Sequence, residues 1–552
     1  MNGSSSTDPL AEPSLRQVRA WTRAAGLSPS AFASLYRGAL RKAMSNLVQA
    51  LWRERLCPCR ETPEGLALGE AGALWAPAQT DLPFRRLRLI DWPACRDGGD
   101  EERSLRSAGP FLRVLAPLVP DWTQDDFRRL RRDFHNSLAN LVLNRALVRL
   151  RPGNTVALEP ASDGHQTFPF PGLRVGPSLS AIVACSPLNA DPVGIPLVEV
   201  GTLLRIEAEA GVQAQDWLGA HATKALAALG IEGAVLPVHP WQVTSSSGLR
   251  ALFDAGLVRL LPVSLPAVPL ASQRTCHLLD TRCDLKLPVD AALTGEYRLL
   301  YRLNCENAVA VSSAIEALIA KEGWADTLGG QFDRTALFHP LEALSPTLSA
   351  IVRGPIAGYG GACIPAINLW TGPRLALSRL HDRSHAERFF HRYCHVLLEG
   401  PLRLIGAGMA TEPHLQNALI DFDAEGLPAR LVLRDLDATV LDPARWRDPR
   451  TTPVPLPLAE GTWTHMPAFA DGCRRTIYAA HFGHVGTVID TLRSLFGLPL
   501  SRLMATIDAV WQDLTAVAQA PLPFDALRRD RDAVRVCLAN RIRRDPGLRF
   551  TA

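Results

Sequence analysis

TEPHLQNALIDFDAEGLPARLVLRDLD, residues 411–437, contains two apolar runs separated by acidic residues and a glycine, and this pattern predicts a β-hairpin. His414 and Asn417 stand three residues apart before the first run, so a helical turn would place them on one face. On the return strand Asp435 and Asp437 alternate with leucines and would point the same way. An amide and two carboxylates are hard oxygen ligands that suit Mg²⁺ bound to a nucleotide phosphate. A charged face toward solvent is the alternative interpretation.

Residues 271–279, ASQRTCHLL, place polar side chains on a run whose apolar residues predict a β-strand. Residues two apart in a strand share a face, so Ser272 and Arg274 would project together, with Thr275 at the edge of the opposite face. A hydroxyl beside a planar guanidinium suits the oxygens of a phosphate or a carboxylate. A strand end with an exposed polar side would show the same pattern.

A second polar cluster follows in DLKLPVDAALTGEYRLL, residues 284–300. Lys286 lies in an apolar strand, and Thr294 and Arg298 come after a turn. Arg274, Lys286 and Arg298 fall within 25 residues of sequence, and three such cations are costly to bury without an anion. A triphosphate or a polycarboxylate would remove that cost, so the two clusters predict an anionic small-molecule ligand.

The composition excludes several classes of protein. With 552 residues, 47% of them hydrophobic, and a mean hydropathy of +0.03, the chain should form two or three packed units. A net charge of +4, from 59 basic and 55 acidic residues, argues against partners such as nucleic acid or an anionic membrane. The sequence contains no Gly-Lys dipeptide, no complete GxGxxG loop and no GxSxG elbow, which disfavours P-loop, Rossmann and α/β-hydrolase enzymes.

The cysteines and the N-terminus indicate the compartment. Eleven scattered cysteines, an odd number, are typical of reduced core thiols and predict a cytoplasmic protein. Cys57 and Cys59 could hold a metal, but no second cysteine or histidine pair lies nearby. The N-terminal residues lack the basic and apolar regions of a signal peptide, and no apolar run reaches about 18 residues. We therefore expect neither secretion by that route nor a membrane span.

Isolated histidines are weaker candidates for function. His165 and His239 each stand alone, and a lone histidine is more often a core or capping residue than a ligand. Two i, i+4 pairs of histidines are formed by His381, His385, His391 and His395. Such pairs can bind a metal, but we interpret them as a helix surface because no HExxH-type acidic motif joins them.

The texture of the sequence divides the chain into residues 1–150, 151–345 and 346–552. The first part has apolar residues at helical spacing, a capping box at Thr123 and Asp126, and one strand-like stretch at 85–92. The second part contains short β-type runs broken by proline and glycine. The third part adds an amphipathic helix at about 384–405 to the hairpin. These patterns predict an α+β fold with a β-rich domain between two mainly helical ones.

Six short motifs occur in a defined order: GHQTFPFPGLRVG (164–176), HPWQ (239–242), SQRT (272–275), KL with TGEYR (286–287 and 294–298), EPHLQN (412–417) and RDLD (434–437). In this order they resemble the motifs of the NRPS-independent siderophore synthetases, the aerobactin synthetase-like IucA/IucC family. A weaker match, VRVCLANRI (534–542), extends the resemblance nearly to the end of the chain.

The resemblance implies a three-part cupped-hand architecture, usually dimeric, with a helical thumb-like region, β-rich fingers that hold the ATP phosphates, and a mainly helical palm. It implies a siderophore biosynthesis ligase that uses ATP and Mg²⁺ to adenylate a carboxylic acid, citrate or a citrate derivative or 2-oxoglutarate. An amine or a hydroxyl would then attack, releasing AMP and pyrophosphate overall. The alternatives are an ADP-forming kinase-like or ATP-grasp-like ligase and a non-catalytic citrate-binding protein.

The resemblance also assigns roles to individual residues. The implied ATP-binding residues are Ser272, Arg274, Thr275, Lys286, Gln416, Asn417 and Asp435. The implied carboxylate-binding residues are His165, Thr294, Arg298 and His414. The implied Mg²⁺ ligands are Asn417, Asp435 and Asp437. The implied catalytic residues are His165, Arg274, Lys286, Arg298 and His414.

Two stretches depart from the pattern of the family. A second His-Pro followed by a lysine is usual after the first histidine, where this chain has Phe168-Pro169 and Gly172. A lysine is usual near the C-terminus, where this chain has Arg535. We expect these departures to affect the choice of acid or amine rather than the adenylation chemistry.

Overall fold

The computed structural model describes residues 14–96, 102–151, 158–159, 164, 168–189, 191–201, 205–208, 215–231, 233–371, 380–450, 452–517, 534–535, 537–543 and 550–551. Its helices are Leu15–Ala24, Pro29–Arg53, Ala108–Leu115, Gln124–Leu150, Leu179–Ala184, Gly219–Ala228, Pro240–Ser245, Ser247–Asp254, Arg302–Lys321, Ala366–Thr371, Arg383–Gly406, Pro443–Trp446, Thr462–His465, Phe469–Ala480, Gly486–Phe496, Leu500–Val517 and Leu538–Arg543. Its strands are Cys59–Thr62, Gly65–Leu68, Leu74–Leu82, Arg86–Leu89, Ala94–Arg96, Glu102–Ser104, Arg174–Val175, Val193–Gly201, Arg205–Ala208, Ala234–Pro237, Arg259–Pro269, Thr275–Leu278, Asp284–Lys286, Val289–Leu293, Glu296–Arg298, Leu328–Gly330, Asp333–Phe338, Ser349–Arg353, Cys363–Pro365, Met409–Ala410, Ala418–Phe422, Pro428–Leu433, Val440–Leu441, Val534–Arg535 and Phe550–Thr551.

Two long helices of the N-terminal part begin at caps that the sequence encodes. Ser28 caps Pro29–Arg53, because its hydroxyl oxygen accepts a backbone N–H of the first turn. Thr123 and Asp126 form the predicted capping box at the start of Gln124–Leu150, each accepting the backbone N–H of the other. The predicted capping box is confirmed.

A six-stranded antiparallel sheet lies between these helices in the chain, from Cys59 to Ser104. The expectation that the N-terminal part is helical apart from one stretch at 85–92 was therefore wrong. Most of these strands have three or four residues, which is too short for a periodic pattern to stand out. Leu74–Leu82 is longer and does alternate between buried and partly exposed residues at its start.

An eight-stranded antiparallel sheet forms the centre of the fold. Its strands, in spatial order, are Ala234–Pro237, Val193–Gly201, Arg259–Pro269, Thr275–Leu278, Asp284–Lys286, Ser349–Arg353, Asp333–Phe338 and Arg205–Ala208. Thr275 lies directly opposite Lys286, which in turn lies opposite Ile351 on the next strand. Opposed residues of antiparallel strands project on the same face, so the register carries Thr275 and Lys286 to one surface.

The predicted hairpin is confirmed as the antiparallel strands Ala418–Phe422 and Pro428–Leu433. Leu328–Gly330 joins the second of these in parallel, and Cys363–Pro365 joins the first. The helix predicted at about 384–405 is present as Arg383–Gly406, and its buried side belongs to the same apolar core as the hairpin.

The C-terminal helices include an irregular turn. Phe469–Ala480 passes through the π-helical turn His481–Val485 into Gly486–Phe496. Pi-helical turns inside helices frequently occur at functional sites.

None of the helices in the described ranges is long and apolar enough to cross a membrane.

The apolar cores do not follow the predicted divisions of the chain strictly. The core built on the N-terminal helices also contains Phe168, Leu173, Leu293 and Ile542, which come from the second and third predicted parts. The boundaries at 150 and 345 remain predictions. The eleven cysteines are all free thiols, as the composition suggests.

Candidate active site

A cavity of about 930 Å³ opens where the eight-stranded sheet, the 411–437 segment and the C-terminal segment meet. The sequence-predicted site residues that line it are Ser272, Arg274, Thr275, Lys286, Thr294, Arg298, His414, Gln416, Asn417, Asp435 and Asp437. His165 completes the predicted set and lies outside the described residues. The structure therefore brings together in one cavity each predicted site residue that it describes.

A tight turn, rather than an extended strand, presents Ser272 and Arg274. The strand begins only at Thr275, and Gln273 has a φ of 65°, in the left-handed region. The prediction that Ser272 and Arg274 share a strand face was wrong for this reason. The Ser272 hydroxyl oxygen accepts the backbone N–H of Thr275 at 3.0 Å, which leaves its own O–H available as a donor.

His239 of the HPWQ motif holds this turn in place. Its Nδ1 accepts the backbone N–H of Trp241 at 3.1 Å, so its Nε2 carries the proton and donates to the Gln273 carbonyl oxygen at 3.0 Å. Burial lowers the pKa of His239 to about 4, which keeps the ring neutral. The interpretation of His239 as a buried capping residue is confirmed.

Arg274 is a cation with weak partners. Its Nη1 donates to the carbonyl oxygens of Arg298 and Leu299, each at 3.4 Å, which is long for a hydrogen bond. Burial, together with the charge of Arg298, lowers the pKa of Arg274 to about 10. A guanidinium in this setting gains most from an anion in the cavity.

Lys286 is the most enclosed predicted cation, with 3% of its side chain exposed. Its Nζ lies 2.7 Å from Asp435 Oδ1 and 2.6 Å from Asp437 Oδ1. Arg353 adds a second cation, because it pairs with Asp435 and lies 3.0 Å from Asp333 Oδ1. Two cations and three carboxylates therefore pair with one another across the sheet and the 411–437 segment.

The two aspartates reach Lys286 from a turn, not from a strand. The return strand ends at Leu433, Asp435 is left-handed with a φ of 66°, and Leu436–Ala438 forms a 3-10 turn. The prediction that Asp435 and Asp437 alternate on a strand was wrong, although both side chains still converge. Burial raises the pKa of Asp435, but the charges of Lys286 and Arg353 outweigh it and hold that pKa well below its usual value.

Whether this cluster can hold a divalent cation depends on which of its carboxylates is exposed. Asp435 keeps 27% of its side chain exposed, whereas Asp437 keeps 4%. Across the described ranges, histidine, cysteine, aspartate and glutamate side chains form no metal-ligand group of three or more. Asp435 is thus the accessible carboxylate, and Asp437 is committed to Lys286.

The turn before the hairpin orients His414. Its Nδ1 accepts the backbone N–H groups of Gln416 at 3.2 Å and Asn417 at 3.3 Å, so the proton of the neutral ring is on Nε2. Burial lowers the pKa of His414, which favours this neutral form. The Ala418 N–H closes the turn on the His414 carbonyl at 3.1 Å, as the predicted helical turn requires.

Thr294 and Arg298 form a pair at another wall of the cavity. Arg298 Nη2 donates to Thr294 Oγ1 at 2.5 Å, and its Nε donates to the Leu293 carbonyl at 3.1 Å. Glu296 approaches the same guanidinium at 3.7 Å. With 29% of its side chain exposed, Arg298 is fixed in direction yet open to a ligand.

The C-terminal segment adds cavity residues through the weaker motif match. Arg535 pairs with Glu412 at 3.1 Å, so a cation is present where the family usually has a lysine. Arg541 donates to Asp133 at 2.8 Å and to the Gly295 carbonyl at 2.9 Å. Sequence reasoning identified neither Arg541 nor Glu412 as a site residue.

Arg353 was also missed by sequence reasoning. It lies in SAIVRG, residues 349–354, and an arginine in an otherwise apolar run is the same signal that identified Lys286. Arg353 is 2% exposed and lines the cavity.

The departures at Phe168 and Gly172 have packing reasons. A Cβ at Gly172 would lie 2.6 Å from the Ser137 carbonyl oxygen, because helix Gln124–Leu150 runs directly over this glycine. Phe168 packs against Gly295, where a Cβ would lie 2.5 Å from its ring. The close approach of the helix excludes a lysine at position 172 in this backbone.

The remaining candidates lie outside this cluster. His381 and His385 stack at 5.0 Å at the start of helix Arg383–Gly406, and His391 is exposed on its surface, as the interpretation of a helix surface expects. The Cys57 and Cys59 sulfurs are 3.8 Å apart, with no metal-ligand group of three in the described part of the chain.

Two family models match separate parts of the chain. Residues 154–367 match the model of the IucA / IucC family, and residues 387–548 match the model described as ferric iron reductase FhuF-like transporter. The uncharacterized protein y4xN of Sinorhizobium fredii (strain NBRC 101917 / NGR234) is 26% identical, over 73% of this chain and 76% of that protein.

Solved structures share the whole architecture. The petrobactin biosynthesis protein AsbB from Bacillus anthracis str. Sterne has a TM-score of 0.77 and 14% identity, covering 97% of this chain and 96% of that one. The ATP-bound aerobactin synthetase IucA from a hypervirulent pathotype of Klebsiella pneumoniae has a TM-score of 0.70 and 16% identity, covering 90% and 93%. The predicted α+β fold is confirmed by these similarities.

Proposed function

We propose that the chain is a member of the IucA / IucC family, whose model matches residues 154–367, and that it is a siderophore biosynthesis ligase that activates a carboxylic acid with ATP. The acid, citrate or a citrate derivative, would be adenylated and then condensed with an amine or a hydroxyl. The products would be an amide or ester, AMP and pyrophosphate. We include in this proposal the homodimer and the cytoplasmic location that the family resemblance implies.

The observation that carries the proposal is the charge of the cavity. Ten arginine and lysine side chains line it, against four aspartate and glutamate side chains. Three of these arginines also pair with carboxylates that do not line the cavity, Arg353 with Asp333, Arg434 with Glu159 and Arg541 with Asp133. Three positive charges therefore remain in excess at the cavity, against a net +4 for the whole chain, so much of the net positive charge is concentrated there. Such a site suits two anionic ligands at once, a triphosphate and a polycarboxylate.

The phosphate side of the cavity is the turn at 272–275. Arg274 would donate to phosphate oxygens that gain charge as the carboxylate attacks, and the Ser272 O–H would donate beside it. Donors preorganised around developing charge lower the barrier because they need no reorganisation during the reaction. Lys286, already held between two aspartates, would keep its position against a phosphate.

Mg²⁺ would supply neutralisation of phosphate charge when bound, and Asp435 is the carboxylate with the exposure to hold it, with Asn417 lining the same cavity. Asp437 would remain the counter-ion of Lys286, which differs from the direct ligand role that the family resemblance implies.

The acid side of the cavity is formed by Thr294, Arg298 and His414. The Arg298 fork would hold a carboxylate of the substrate. His414 carries its proton on Nε2, so it would donate a hydrogen bond to an acyl oxygen rather than remove a proton from the nucleophile. A mixed anhydride hydrolyses readily, so the walls supplied by three parts of the chain would exclude water until the nucleophile arrives.

The proposal is tested by identifying which products the protein forms from ATP. With citrate, a diamine, ATP and Mg²⁺, the protein should release pyrophosphate and AMP, and ADP instead would refute the proposal in favour of a kinase-like or ATP-grasp-like ligase. With hydroxylamine as the nucleophile, a panel of acids should give one preferred hydroxamate. Citrate binding without any nucleotide turnover would indicate a non-catalytic binding protein.

A further inference from the structure

Glu159 is a buried carboxylate that the roles described above do not use. Its exposed fraction is 0%, and three donors converge on it. Its Oε2 accepts the backbone N–H of Ala271 at 2.8 Å. Its Oε1 accepts the Tyr359 O–H at 2.5 Å and an Arg434 N–H at 2.5 Å. Glu159 therefore has a complete set of partners and no surface for a ligand.

Two of these partners are chain neighbours of site residues. Ala271 immediately precedes Ser272, so its N–H fixes the start of the turn that presents Ser272 and Arg274. Arg434 immediately precedes Asp435. The one carboxylate thus ties the phosphate-side turn to the segment that carries the accessible aspartate.

Arg434 extends the connection to the third segment. Its Nε donates to the Gln416 carbonyl at 2.8 Å, and its backbone N–H donates to the Asn417 carbonyl at 3.0 Å. Gln416 and Asn417 belong to the turn that orients His414. Glu159, through Arg434, is therefore linked to each of the three backbone segments around the nucleotide side of the cavity.

The linkage is costly to break because it is a buried ion pair. Arg434 has 4% of its side chain exposed and Glu159 none. Burial lowers the pKa of Arg434, but the Glu159 charge outweighs it and raises that pKa above its usual value. Removing one member of such a pair leaves an uncompensated buried charge.

We propose that Glu159 is a positioning residue that sets the spacing between the phosphate-side turn and the 414–437 segments, and so determines the affinity for ATP. The inference rests on the proposed function, since it assumes that these segments hold the nucleotide. Glu159 itself touches no substrate. Its loss should weaken nucleotide binding while leaving the cations that line the cavity in the chain.

Glu159→Gln is the informative variant. A glutamine offers one acceptor oxygen and one NH₂ donor in place of two acceptor oxygens. If the oxygen faces Arg434 and Tyr359, the NH₂ faces the Ala271 N–H and the turn loses its anchor. If the amide is reversed, the NH₂ faces the Arg434 guanidinium. Either orientation breaks the connection between the segments with almost no change in volume.

The experiment measures binding of a non-hydrolysable ATP analogue with Mg²⁺ by calorimetry. We expect Glu159→Gln to bind about 10- to 100-fold more weakly than wild type, by analogy with the loss seen when residues that orient metal ligands are changed. Tyr359→Phe removes one of the three donors and should fall between wild type and Glu159→Gln. The stoichiometry reports the folded fraction, so a general loss of folding would lower the stoichiometry and leave Kd unchanged.

Glu399→Gln is the matched control. Glu399 is 9% exposed and pairs with Arg403 at 2.6 Å on helix Arg383–Gly406, and neither residue lines the cavity. It should lose stability without a change in Kd. An unchanged Kd for Glu159→Gln, or for Tyr359→Phe if Glu159→Gln does not fold, would overturn the positioning role. Failure of the wild-type protein to bind the analogue would instead refute the proposed function, and the positioning role with it.

Discussion

Arg274→Ala separates a catalytic role of the turn at 272–275 from a merely structural one. The two hydrogen bonds that Arg274 makes are both 3.4 Å long, so the fold loses little when they are removed. The pKa of Arg274 is lowered to about 10, which means that the folded protein disfavours the charged form. The variant should therefore keep the wild-type melting temperature or exceed it.

The catalytic rate of Arg274→Ala, unlike its melting temperature, should fall. If Arg274 donates to phosphate oxygens in the transition state, its loss removes one preorganised charge-stabilising donor, which is worth about 3 kcal/mol or roughly 10²-fold in kcat/KM. Arg274→Lys should recover only part of this, because an ammonium cannot reproduce the bidentate guanidinium fork.

The assay is pyrophosphate release, measured with thermal unfolding on the same preparations. Arg282→Ala is the control, because Arg282 is an exposed arginine in the turn at the other end of the same strand. It should keep full activity. A stable Arg274→Ala protein with wild-type kcat/KM would remove this turn from the active site.

Three further predictions concern stability. Lys286→Met leaves Asp437, which is 4% exposed, without its lysine, so the free energy of unfolding should fall by about 3–5 kcal/mol. Denaturant unfolding measures this loss. The double variant with Asp437→Leu should recover part of it. Gly172→Ala places a Cβ 2.6 Å from the Ser137 carbonyl oxygen and should cost about 1–3 kcal/mol. Gly109→Ala, whose nearest contact is 3.5 Å, should be neutral or stabilising in the same melting experiment. Burial lowers the pKa of His239 to about 4 and that of His484 to about 3, whereas a histidine in the unfolded chain has a pKa of about 6.5. As the pH falls below about 6.5, the unfolded chain therefore binds protons at these histidines before the folded protein does. The contribution of these histidines to the free energy of unfolding should hence have its full value above that pH and decline toward pH 4. A free energy of unfolding that stays constant from pH 7 to pH 4 would contradict the burial of these neutral rings.

Sequence patterns identified the residues of the cavity better than their local geometry. Lys286 and Arg274 were recognisable because a charge in an apolar run is costly without a partner, whatever the backbone does. Asp435 and Ser272 were assigned to strands, yet both belong to turns in which Asp435 and Gln273 have positive φ. Glycine normally signals that conformation, and neither position has one.

The missed residues share a different property. Arg353 and Glu159 act through partners that lie far away in the sequence, Asp435 at a separation of 82 residues and Arg434 at 275. Local spacing carries no information about such pairs. The short strands between Cys59 and Ser104 were missed because three or four residues cannot display a period.

The contact of Arg541 with Asp133, which ties the C-terminal segment to the N-terminal part of the chain, has a consequence for folding on the ribosome. The Glu54 carboxylate adds to this tie, because it accepts the backbone N–H groups of Cys537, Leu538 and Ala539, and the first of these bonds spans 483 positions of sequence. Arg541 returns to Asp133 across 408 positions. Contacts of such separation form late, and domains made early fold before them. The nascent chain should therefore carry a folded but open-walled cavity until residues 537–541 have emerged, and those residues should then complete its wall.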